Sequence, residues 1–211
     1  FDPIGSVFTS SPFTGSLDGQ GHKITGLTIK RPAGGSALAG LFGTTVDATI
    51  KNITFESGVI STSVIDSNNA YLDTDADGIS ATGVVSAIDQ GSTFENITSD
   101  VRVIGPKVQR SFSGGIVGLS MPASLDLSSY NFSTSFTNIS ATGDVSGFVS
   151  GGIIGASLAM NPFYANETPT TGFPENGLVV SSSSASNDVY CIASCGGVVG
   201  IDVNNTSIMD I

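Results

Sequence analysis

The chain has no tryptophan, one histidine and two cysteines, and only 7 Lys and Arg against 18 Asp and Glu. Each scarcity excludes something. With a net charge of −11 and no basic cluster beyond Ile29–Arg31, a phosphate backbone would be repelled, so nucleic acid is excluded as a partner. The same deficit argues against anionic membrane surfaces. The most apolar stretch, Val145 to Met160, is broken by Ser and Gly and is short of the ~20 apolar residues a bilayer helix needs, so no membrane insertion is expected. The lone His22 has no Ser or Cys constellation assignable to it and is read as hydrogen-bonded within the turn Asp18–Ile24. Charged residues make up only 12% of the chain, so charge alone does not keep such molecules apart in solution. The chain opens on Phe1 without a signal-like segment, which reads as a processed product or a fragment.

Glycine, by contrast, is abundant and patterned. A block of glycine, two apolar residues and glycine occurs as "LAGLFGTT" (Leu38–Thr45), "SGGIVGLS" (Ser113–Ser120), "SGGIIGAS" (Ser150–Ser157) and "CGGVVGID" (Cys195–Asp202), with a weaker copy "ATGVVSA" (Ala81–Ala87). Aligned on Gly40, Gly83, Gly115, Gly152 and Gly197, the copies are 43, 32, 37 and 45 residues apart. A constant core with variable spacers describes a solenoid whose loops grow on one side. The block itself reads as a short strand closed by glycines where backbones approach closely. Both central positions are apolar in every copy. One column is therefore expected inside, the other covered by a loop, a glycan or another molecule. Ser113, Ser150 and Cys195 form a column of small residues before it.

A second element reads apolar, any, X, apolar: "ITGLTI" (Ile24–Ile29), "IKNITF" (Ile50–Phe55), "FENITS" (Phe94–Ser99), "FTNISA" (Phe136–Ala141) and "IMDI" (Ile208–Ile211). X is Gly26, Asn52, Asn96, Asn138 or Asp210, the residue types that tolerate a left-handed backbone, so a sharp bend is expected at each. For the poorly matching coil between Gly152 and Gly197, the bend is expected at Gly177. Ile24, Ile50, Phe94 and Phe136 then stack in one interior column, and Leu27, Ile53, Ile97 and Ile139 in the next. Thr25, Lys51, Glu95 and Thr137 face out before the bend; Thr28, Thr54, Thr98 and Ser140 face out after it. Such columns require parallel, in-register coils ~4.8 Å apart. The expected fold is all-β: one domain over residues 1–211, a right-handed parallel β-helix (β-solenoid) of about five or six irregular coils, with inserts at 61–79, 119–133 and 156–173.

These residues resemble the GLUG-repeat family of secreted and surface proteins. "GLFG" at Gly40–Gly43 matches the motif literally, and Phe1–Ile29, with "DGQGH" at Asp18–His22, looks like the segment that opens such arrays. The resemblance covers most of the chain outside the inserts. It implies a right-handed β-helix in an extracellular or cell-surface protein, often adhesive, and brings no catalytic motif.

Three sets of residues point to chemistry. "DTDADG" places Asp73, Asp75 and Asp77 at alternate positions before Gly78, the first half of a calcium loop; Val84 stands where an EF-hand has its bidentate Glu, so Asp66 or Asn68 would have to complete the shell. The alternative is a solvated acidic turn. Asn52, Asn96, Asn131, Asn138, Asn166, Asn204 and Asn205 each begin N-x-S/T, the acceptor pattern for N-glycosylation. For Asn52, Asn96 and Asn138 the competing reading is an inward ladder of bend asparagines. Cys191 and Cys195 form a short-loop disulfide in an extracellular setting, or else two buried thiols. The function expected is that of an extracellular structural or adhesive β-solenoid without catalysis: a cell-surface module, or a filament subunit that self-associates end to end. The alternatives are a carbohydrate-active β-helix enzyme, which needs acidic residues clustered with Lys or Arg, and a glycan-binding module using Tyr71, Tyr130, Phe163 and Tyr164 in the inserts.

Overall fold

The computed structural model describes residues 2–5, 11–32, 37–63, 79–121, 133–158, 177–203 and 207–210. Short β-branched and apolar runs bounded by Gly, Asn, Asp and Ser form strands, and no helix occurs among the described residues. All strand pairs are parallel, and by pairing they fall into successive tiers. The first tier contains β1 (Ser16–Asp18), β2 (Lys23–Pro32), β3 (Leu38–Ala39) and β4 (Phe42–Val46). The second contains β5 (Thr49–Ser63), β6 (Ser80–Gly83) and β7 (Ser86–Gln90). The third contains β8 (Thr93–Ser99), β9 (Arg102–Ile104), β10 (Ser111–Gly114) and β11 (Val117–Ser120). The fourth contains β12 (Thr134–Ala141), β13 (Val145–Gly151) and β14 (Ile154–Leu158). The fifth contains β15 (Leu178–Ser181), β16 (Ser184–Ala185), β17 (Val189–Gly196) and β18 (Val199–Val203), and β19 (Ser207–Met209) lies beyond it. Each strand pairs only with strands of adjacent tiers. The result is a 14-stranded sheet and a separate 5-stranded sheet of β4, β7, β11, β14 and β18.

The glycine block is the corner where each tier leaves the large sheet for the small one: β3 to β4, β6 to β7, β10 to β11, β13 to β14 and β17 to β18. Because the chain turns there, both central residues point the same way. Leu41 and Phe42, Val84 and Val85, Ile116 and Val117, and Ile153 and Ile154 all belong to one buried cluster, with Val198 and Val199 packed against it. The expectation that one column needs outside cover is therefore corrected. The alignment of the weak copy is also corrected by one residue. Gly83 pairs with Gly114, not Gly115, so Ser86 stands opposite Val117. The closing glycine answers to a backbone contact between the sheets. A Cβ on Gly118 would lie 2.6 Å from the Thr82 amide nitrogen, and one on Gly200 2.6 Å from the Ser150 carbonyl oxygen.

The bend asparagines are where the sequence places them. Asn52, Asn96, Asn138 and Asp210 have φ of 56°, 53°, 55° and 54°. Ile50, Phe94 and Phe136 stack in register and are fully buried, and Ile53, Ile97 and Ile139 form the next column. The Phe94 and Phe136 rings lie 4.8 Å apart at 12°, one tier spacing. Thr25, Glu95, Thr137, Thr28 and Thr98 are half-buried or exposed, as outward positions should be. Two placements differ from expectation. In the first tier it is Leu17 that pairs with Ile50, whereas Ile24 pairs with Phe55 and Leu27 with Gly58. Gly26 does bend (φ 71°), but at a second corner that it shares with Ser57 (φ 57°). In the fifth tier the bend is at Ser182 (φ 49°), since Thr137 pairs with Ser181; Gly177 precedes the strand.

Gly118→Ala forces a methyl onto Thr82 backbone and is expected to cost about 1–3 kcal/mol. Gly197→Ala meets nothing within 4 Å and should leave stability unchanged. Thermal midpoints of the two variants check this.

Candidate functional site

The calcium-loop aspartates Asp73, Asp75 and Asp77 lie outside the described residues, as do Asn131, Asn166, Asn204 and Asn205. So do the insert aromatics Tyr71, Tyr130, Phe163 and Tyr164. Among the described residues no group of three or more His, Cys, Asp or Glu is placed to hold a metal ion.

The three remaining sequon asparagines are brought together. Asn138 Nδ2 donates to Asn96 Oδ1 at 2.7 Å, Asn96 Nδ2 to Asn52 Oδ1 at 2.9 Å, and Asn52 Nδ2 to Asp18 Oδ1 at 3.0 Å. The ladder is real but faces outward, not inward: Asn96 and Asn138 are exposed and Asn52 is half-buried. The reason is the left-handed bend, which swings the side chain off the corner while its flanking residues stay inside. Asp18 terminates the ladder. The hydrogen bonds from Asn52 and from the Gln20 amide, with Lys51 Nζ 3.7 Å away, hold its carboxyl below the ordinary value of 3.8. His22 is exposed and closes the adjacent turn through its backbone, its amide donating to Gly19 O at 2.7 Å.

Cys191 and Cys195 are joined by a disulfide, with Cα atoms 5.5 Å apart. Four residues of extended strand would span roughly 13 Å, too far to bridge. The strand is not extended here: it follows the corner of β13, where a Cβ on Gly147 would lie 3.2 Å from Ser150 Oγ, and it adds a bulge, since Gly147 pairs with Cys191 and Val149 with Ser194, leaving Ile192 and Ala193 opposite Phe148 alone. The disulfide therefore staples a β-bulge at the corner of β17. Cys195 also pairs with Ser150, and Ser150 with Ser113, completing the small-residue column. The Ser113 and Ser150 hydroxyls are fully buried without a hydrogen-bond partner. They pack against Gly147, where a Cβ would meet Ser150 Oγ at 3.2 Å.

A polar centre that sequence reasoning missed is Asp89. It is fully buried at the end of β7. Thr45 Oγ1 donates to its Oδ1 at 2.9 Å, the Ser92 amide to Oδ1 at 3.2 Å, and Thr134 Oγ1 to its Oδ2 at 2.6 Å. Ser120 Oγ donates in turn to Thr134 Oγ1 at 3.3 Å. Asp89 thus ties β4 to β12 across the second and third tiers. No described cation contacts it, and burial pushes its carboxyl above the ordinary value of 3.8 against the lowering effect of Thr134, Ser92 and Thr45. The available signal was an acid in an otherwise apolar and small strand, "VVSAID" (Val84–Asp89), one residue before a turn. The cluster can hold a carboxyl, or a carboxamide once Thr134 Oγ1 accepts from its nitrogen instead of donating. It offers no base paired with a nucleophile.

No protein family, curated protein or solved structure matches the chain.

Two outcomes follow. A raised native value means that the native state binds the Asp89 proton more tightly than the unfolded chain does. Stability from this group is therefore full below the unfolded value and lost as pH rises through the native one. In urea titrations between pH 3 and 8, Asp89→Asn should gain on the parent protein as pH rises, whereas Asp89→Ala should lose about 1–3 kcal/mol by leaving its donors without an acceptor. For the ladder, Asn96→Ala should cost about 1–2 kcal/mol, because it removes the side-chain hydrogen bonds to Asn52, Asn138 and Glu95 and strains the left-handed backbone. Asn96→Gly, which relieves the backbone strain, should cost less. Equal losses in the two variants would show that the bend conformation is not the issue.

Proposed function

We propose that the chain is an extracellular, non-catalytic structural or adhesive module, and that its tiers are the coils of a right-handed parallel β-helix. The observation that carries this reading is the parallel register from tier to tier, with like residues stacked at Ile50/Phe94/Phe136 and Ile53/Ile97/Ile139. A fold of this kind presents long regular faces, which suit display and assembly. The resemblance to the GLUG-repeat family supports the same reading. The disulfide between Cys191 and Cys195 supports an oxidising compartment. Glycans fit best at Asn131, Asn166 and one of Asn204 or Asn205. At Asn52, Asn96 and Asn138 each side-chain nitrogen is committed to the ladder, and neighbours ~4.8 Å apart leave no room for a sugar on every tier. Asp73, Asp75 and Asp77, in the 61–79 insert, supply the hard oxygen ligands that calcium takes.

The test is fractionation of source cells with intact-mass analysis. The reading predicts the protein in the surface or extracellular fraction, its cysteines oxidised and its mass raised by glycans, with glycopeptides that exclude Asn52, Asn96 and Asn138. Recovery inside the cell with both thiols reduced would contradict it.

A further inference from the structure

Among the described residues, every exposed large apolar side chain lies at an end of the stack. Tyr190, Ile192, Ile208 and Met209 sit on β17 and β19, and Ile4 bridges to Phe42 at the opposite end. Tyr190 and Ile192 are each 60% exposed. Among the described strands β17 pairs with β13 alone, and β2 pairs with β5 alone.

Charge is segregated along the same axis. All 7 Lys and Arg lie between Lys23 and Arg110, and none follows Arg110, whereas seven acidic residues do. Three of the cations, Lys23, Lys30 and Arg31, are on β2 itself. Lys23 is paired with Glu56 and Arg31 with Asp2, and no described acid pairs with Lys30. At the far end, Asp188 stands beside Tyr190, whose hydroxyl donates to Asp188 Oδ2 at 3.4 Å.

We propose that the β17 edge of one copy receives β2 of a second copy in parallel register, so that copies of this chain join head to tail. This rests on the structural-module reading above and names its partner. The columns already in the molecule set the register. Ile29, Ile60, Val103, Val145 and Val189 form one inward column, and Lys30, Ser61, Ile104, Ser146 and Tyr190 form the column beside it. Continued by one tier, Ile29 of the incoming copy covers Val189, and Lys30 lies over the Tyr190 ring within reach of Asp188. That combines strand hydrogen bonds, apolar cover and a cation over an aromatic face. The two ends are different surfaces, so the contact is heterologous and propagates as an open chain instead of closing as a dimer.

Sedimentation velocity of the 211-residue chain tests this, with two variants that each disable one end: Ile192→Asp at the β17 edge, and Lys30→Glu with Arg31→Glu on β2. The parent chain should show concentration-dependent oligomers. Each variant alone should be monomeric, with an apparent Kd raised at least about tenfold, and retain the parent's circular dichroism. Mixed, the variants should form dimers and nothing larger, since each supplies one intact end. A parent chain that stays monomeric at all concentrations overturns the proposal and assigns the edge to another occupant, such as further chain. Oligomers that persist in both variants overturn it by placing the contact elsewhere. Neither result touches the compartment or the glycans, on which the functional reading stands separately.

Discussion

The rest of the structure depends on parallel hydrogen bonding between tiers without slippage. Once one tier is set over another, each side chain has its counterpart ~4.8 Å away, and the cheapest arrangement is like upon like. Phe94 over Phe136, Ile97 between Ile53 and Ile139, and Asn96 between Asn52 and Asn138 are consequences of that single rule. A like stack of amides satisfies itself, since each carboxamide donates to one neighbour and accepts from the other. The stack needs a terminus that only accepts, and Asp18 supplies it.

The corners are governed by a second constraint, the absence of room. The small sheet meets the large one backbone against backbone, which is why Gly118, Gly155 and Gly200 recur opposite Thr82, Ser113 and Ser150. Space also explains the buried serine hydroxyls beside Gly105 and Gly147. They pack on glycine backbone where a Cβ would clash. At β17 the corner departs from the pattern by one extra residue, and the Cys191–Cys195 disulfide holds the bulge that results.

Much of this was legible in the sequence because stacking makes local chemistry repeat. Asn52, Asn96 and Asn138 share a neighbourhood of apolar flanks and polar outward residues, and the same pattern recovers both interior columns. What failed did so for identifiable reasons. Gly26 has the right chemistry for a bend but serves a different corner, which its pairing with Ser57 reveals and its own sequence does not. Ser182 bends without being Gly, Asn or Asp, and so left no mark. Whether an asparagine at a bend faces in or out depends on the direction in which the chain turns, and a one-dimensional pattern does not encode it. The paired apolar residues at the glycine corner misled by parity, because alternation holds along a strand and not around a turn. Asp89 was invisible for another reason. Its partners Thr45 and Thr134 are 44 and 45 residues away, and only the tiers bring them together.

The two carboxyls at the heart of the account act in opposite senses: Asp18, exposed and hydrogen-bonded, favours its charged form, and Asp89, buried among neutral donors, disfavours it. Both positions exist only if the tiers lie in register. Methyl-resolved nuclear Overhauser spectroscopy tests that register most directly. The account predicts contacts from the Ile97 methyls to those of both Ile53 and Ile139, 44 and 42 residues distant, with none between Ile53 and Ile139 two tiers apart. Contacts that pair these residues in antiparallel order, or that skip Ile97, would contradict it.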